Sequence, residues 1–142
     1  MKFINVDPFA TGMETERFAQ ADFELYRDGK FLIDLHGNCT FQGMLLENST
    51  LVATFKVGWK DATQEDRESR GEEFAAIWGR EFTLHFKDVV VKAVEMEGED
   101  LDDMGRLEHL RLLGKGGDTV QIQIAASVLL TFNCSSAELV GI

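Results

Sequence analysis

His36, His85 and His109, with Cys39 and Cys134, are the side chains best suited to nucleophilic, acid–base or metal chemistry, and their spacing limits what they can do. No local grouping of them matches a zinc-ligand set, and neither cysteine belongs to a Cys-x-x-Cys pair. Cys134 keeps phase with Leu130 and Phe132, so its thiol is expected to point inward. A buried thiol with no basic neighbour is a poor nucleophile. Ser49, Ser69, Ser127, Ser135 and Ser136 lack a G-x-S-x-G setting. The run Gly114-Lys115-Gly116-Gly117-Asp118-Thr119 lacks the spacing of a phosphate loop and reads as a turn. His85 falls on the polar side of an alternating run, where a distant carboxylate could join it. That pair would be the starting point for a hydrolase or isomerase.

Carboxylates are the abundant chemical group. Glu95, Glu97, Glu99, Asp100, Asp102 and Asp103 crowd residues 95–103 with no basic residue among them. Like charges this dense must stay in water. Calcium takes oxygen ligands, but the run lacks EF-hand spacing. A second cluster holds Glu65, Asp66, Glu68, Glu72 and Glu73, interrupted by Arg67 and Arg70. Trp59 and Trp78 flank this cluster. They either close one end of a core or anchor an interface beside the carboxylates. The candidate protein interface is therefore Trp59, Glu65, Asp66, Glu72, Glu73, Trp78, Glu97, Glu99, Asp100, Asp102 and Asp103. No residue is assigned a catalytic, cofactor-binding or metal-binding role, and no cofactor is expected.

These groups must be positioned by strands. Phe23 and Leu25 open a period-2 pattern that crosses an Asp28-Gly29 turn and continues through Phe31, Ile33 and Leu35. Residues 39–46, 51–57, 82–86 and 89–96 repeat it. Arg106 to Leu113 fits either a helix or a strand; the following glycines favour a hairpin with 119–124. Val120 to Cys134 keeps one phase over fifteen residues, as a bent strand or as two strands joined near Ala126-Ser127. Residues 137–142 suit a last edge strand. Residues 60–80 interrupt the rhythm. There, Thr63 and Asp66 resemble a capping box, and Phe74, Ile77 and Trp78 share a helical face.

The whole predicts one mainly β domain over residues 1–142: an antiparallel sandwich or flattened barrel of about eight to ten strands. One or two short helices accompany it. Residues 1–20 form an irregular or short-helical lead-in, with Thr11, Gly12 or Thr15 as caps and Phe18 as a plug on the core. Residues 60–80 form an acidic loop or helix insertion.

The net charge of -11 repels nucleic acid and anionic lipid and favours a basic protein partner. No stretch approaches the roughly 20 apolar residues of a membrane span. The opening MKFINVDPFA lacks the apolar core of a signal peptide. The expectation is a cytoplasmic protein with reduced, buried thiols, the alternative being a disulfide between distant strands. A homo-oligomer joined through the last strand is open.

The segments REFTLHFKDVVVKAVEMEG and LLTFNCSSAELVGI, read with Phe86, Asp88, Val89 and Cys134, loosely resemble small β-rich immunity proteins of bacterial polymorphic toxin systems. About half the chain takes part in this resemblance. It implies a domain that neutralises a cognate toxin by occlusion, without catalysis, and it carries over no functional residue. The leading expectation is a non-enzymatic protein-binding domain, in its narrower form an immunity-type inhibitor of a basic partner. The rivals are a β domain holding a small apolar ligand among its Phe rows, and the hydrolase or isomerase above.

Overall fold

Alternating apolar residues can bury only one side of a strand, so the rows of this chain need a second sheet to cover them. A computed structural model shows how that cover is arranged. It describes residues 1–8, 24–59, 62–69, 71–96, 107, 109–126 and 128–142. The short helix expected around residues 11–21 and the Phe18 plug lie outside them.

Among the described residues there are eleven strands and two short helices. The strands are β1 (Lys2–Ile4), β2 (Glu24–Arg27), β3 (Lys30–Asp34), β4 (Cys39–Glu47), β5 (Thr50–Val57), β6 (Glu81–Lys87), β7 (Val90–Met96), β8 (His109–Gly116), β9 (Thr119–Ala125), β10 (Val128–Cys134) and β11 (Ser136–Val140). The helices α1 (Gln64–Ser69) and α2 (Glu72–Ile77) stand between β5 and β6. One sheet runs β1-β11-β6-β5-β4, a second runs β7-β10-β9-β8, and β2-β3 form a separate hairpin. The result is a mainly β sandwich, not a closed barrel.

Turn chemistry sets the register. Asp28 and Gly29 both take positive φ, 52° and 72°, in the two-residue loop that pairs Arg27 with Lys30. Such loops match the strand twist, and glycine occupies that conformation without a steric penalty. Asn48 and Ser49, at 49° and 61°, make a second two-residue loop between β4 and β5.

Two strands pass from sheet to sheet. β6 continues into β7 through Asp88, whose φ is 54°, and β10 continues into β11 through Ser135. β6 pairs with β11, and β7 with β10. A paired ribbon therefore bends from one layer into the other, as strands do at sandwich corners. At the bend Ser135 N donates to Lys87 O at 2.9 Å, and Ser135 Oγ donates to the Asp88 carboxylate.

The core lies between the layers. Leu51, Ala53, Phe55 and Val57 of β5 stand beside Phe82, Leu84 and Phe86 of the neighbouring β6, and together they cover the inner rows of β9 and β10, all fully or almost fully buried. Phe55 stacks on Phe82 at 5.2 Å, and Phe86 meets Phe132 edge-on at 5.2 Å. The Phe rows thus pack on one another.

Two expectations need correction, and two alternatives left open by the sequence are resolved. The lead-in contains β1, which pairs in parallel with β11. Three residues are too few for a period-2 pattern to show. β11 is flanked by β6 and, at residues 136–138, by β1, so it is not the edge strand of its sheet. Residues 109–116 form a strand with Leu110 and Leu112 buried, and Leu107 is buried just before it. The long phase from Val120 to Cys134 divides into β9 and β10 around Ala126, whose N–H donates to Val128 O.

Phe86→Ala should cost about 3–5 kcal/mol, because it removes a fully buried ring at the corner. Chemical denaturation measures this, and a loss below about 1 kcal/mol would contradict the packing described.

Candidate functional site

The segment that breaks the β rhythm closes one end of the sandwich. Thr63 and Asp66 cap α1 reciprocally: Asp66 N donates to Thr63 Oγ1 at 3.1 Å, and Thr63 N donates to Asp66 Oδ2 at 2.8 Å. Both orphan amides are satisfied, with Asp in place of the usual Glu or Gln. Gly71 separates α1 from α2. Phe74 is buried, and Ile77 and Trp78 pack half-buried against the core. The expected helical face is present.

Gly58 makes the seat for Trp78. A Cβ at Gly58 would lie 2.9 Å from the indole ring, and its φ is +107°. Only glycine lets the ring lie this close to the backbone. Gly79 N donates to Val57 O, and Val57 N donates to Arg80 O, each at 2.9 Å. These bonds hold the exit of α2 beside the end of β5. Trp59 meets Trp78 edge-on at 5.3 Å, and Phe74 meets Trp78 at 5.4 Å.

Among the described residues, clefts border this aromatic cluster on several sides. One of about 480 Å³ lies between the helices, walled by Gln64, Arg67, Glu68 and Trp78. A second, of about 340 Å³, is lined by Thr40, Lys56, Trp59 and Trp78. The third, of about 190 Å³, lies between hairpin β2–β3 and α2, with Glu24, Asp34, Glu73, Phe31 and Phe74 around it. Trp78 therefore belongs to two clefts and touches Phe74, which belongs to the third.

Six of the eleven proposed interface residues are among the described residues. Trp59 and Trp78 come together, half-buried, closing the core and walling clefts at once. Glu65, Glu72 and Glu73 are exposed on the first turns of the helices. Asp66 is half-buried and engaged in the cap. Glu97, Glu99, Asp100, Asp102 and Asp103 lie outside the described residues. The sequence reading missed Glu24, Asp34, Thr40, Lys56 and Arg67. One signal was available: Asp34-Leu35-His36-Gly37-Asn38 is a local side-chain turn. In it, Asp34 Oδ1 accepts from His36 N at 2.8 Å and Gly37 N at 3.0 Å.

The other chemical groups lie elsewhere. His85 sits on the outer face of the five-stranded sheet, 2.8 Å from Thr83 Oγ1 and opposite Glu138 in register. His36 Nδ1 lies 2.8 Å from Leu107 O. A carbonyl can only accept, so that ring nitrogen carries the proton. Cys39 and Cys134 are buried and unlinked. Burial first, then Asp34, pushes the Cys39 thiol far above its ordinary range. Burial first, then Asp88, pushes Cys134 up to about 12, against a smaller lowering by the N-terminal ammonium. Both stay protonated at neutral pH. Among the described residues, no group of three or more His, Cys, Asp or Glu could hold a metal ion. No described helix is long and apolar enough to cross a membrane.

No protein-family model matches the chain, and no curated protein matches it. Among solved structures, it is similar to a crystal structure of an uncharacterized protein from Neisseria gonorrhoeae. The two are 11% identical, with a TM-score of 0.45, over 74% of this chain and 92% of the other.

Gly58→Ala should drive Trp78 from its seat, red-shift the tryptophan emission and lower stability by roughly 1–3 kcal/mol. Unchanged emission would mean that the ring does not depend on this glycine. Both thiols should react with a disulfide reagent at pH 8 only as the protein unfolds. Rapid labelling of the folded protein would contradict their burial.

Proposed function

We propose that this chain is a protein-binding domain that acts by docking, without chemistry of its own, and that its end cap receives a basic partner. The observation that carries this reading is the position of Trp78. It walls two clefts and touches the residue that lines a third, beneath helices whose first turns expose Glu65, Glu72 and Glu73. Aromatic anchors in clefts supply affinity, and a charged rim supplies speed and selection. The net charge of -11 adds a long-range field of the same sign. Occlusion of a toxin, the role implied by the resemblance to immunity proteins, is the narrower form of the same reading.

Affinity capture at low and moderate salt should recover a basic protein whose binding weakens as salt rises. The paired charge reversal Glu72→Lys and Glu73→Lys should slow its association several-fold with little change in dissociation. Trp78→Ala, once shown to fold by circular dichroism, should weaken binding roughly tenfold or more. A partner held equally by all three proteins at both salts would overturn the assignment to this surface.

A further inference from the structure

β7 closes the four-stranded sheet at one edge, and its only partner strand among the described residues is β10. All seven of its residues are exposed. Its apolar row is also unusual. Val91 stands opposite Phe132, and Val94 opposite Leu130, and both of those partners are buried in the core. Residues directly opposite share a face of the sheet. Val91, Val94 and Met96 therefore extend the core face beyond the cover of the other layer, at 39%, 57% and 78% exposure. An edge of this length and composition is a template for another strand.

Charge selects what can be added. The chain carries -11 overall, while β7 itself holds Lys92 and Glu95, which offset each other. A second copy would carry the same net charge and be repelled, whereas a cationic strand would be drawn by that field. We propose that β7 accepts an extended cationic segment of another protein as an added strand. Its apolar side chains would lie on the row of Val91, Val94 and Met96, and its Lys or Arg side chains would face the opposite way. Backbone pairing would supply affinity, and the apolar row and the charge would supply selection. This surface is separate from the end cap. α2 leads into the start of β6, whereas β7 begins beyond its far end, roughly 20 Å away by the rise of a strand.

The probes are short blocked peptides of alternating Val and Lys, alternating Val and Glu, and two Val–Lys forms methylated at one or the other alternate set of backbone nitrogens. Hydrogen exchange and amide shifts report binding on the intact protein. The Val–Lys peptide should slow exchange of outward-facing β7 amides tenfold or more, and the Val–Glu peptide should not. One methylated form, blocked on the side facing β7, should lose at least tenfold in affinity while the other binds like the parent. Equal binding by both methylated forms would reduce the contact to charge alone and overturn the proposal. Protection away from β7, or equal binding of the Val–Glu peptide, would do the same. A dimer of the protein alone with β7 already protected would make a second copy the occupant. The Glu72→Lys, Glu73→Lys protein should bind the peptide normally, so failure at this edge and failure at the end cap give different results.

Discussion

Lys87 O accepts the N–H of Ser135 where the β6–β7 strand pair and its β10–β11 partner bend together from one layer of the sandwich to the other. Buried backbone groups must keep partners through such a bend, and this bond helps keep the ladder continuous. The residues around it follow from that need. Asp88 takes the left-handed conformation that turns the strand, and its carboxylate accepts from Ser135. Cys134 and Ala137, both small, fill the inside of the bend, while Phe86 and Phe132 meet just beyond it. The bend directs β7 away from the five-stranded sheet, and its exposed apolar row follows from that geometry.

Local rules made much of the architecture legible. Phe82, Leu84 and Phe86 alternate as a half-buried strand must. Asp28-Gly29 names its own turn, and Thr63 with Asp66 announces the start of α1. Long-range pairing left no such trace. Nothing in Lys2-Phe3-Ile4 points to residues 136–138, and nothing near Val140 shows that two neighbours will flank its strand. Sheet order depends on which rows cover which, and that information is spread over the whole core.

The candidate site divides in the same way. Trp59, Trp78 and the acidic turns of the helices could be singled out because they interrupt a regular pattern. Their closeness could not, since it depends on Gly58 leaving room for an indole from a segment twenty residues later. The third cleft joins Glu24, Asp34 and Glu73 from a hairpin and a helix far apart in the chain. Fixed strand ends bring these side chains together.

The parallel pairing of β1 with β11 has a consequence for assembly on the ribosome. β1 is synthesised more than a hundred residues before its partner, residues 136–138. Closing so long a loop costs entropy, and that cost must be met before the contact contributes anything. Meanwhile the edge that β1 will cover does not exist. The five-stranded sheet can reach its full width only after nearly the whole described chain has been made.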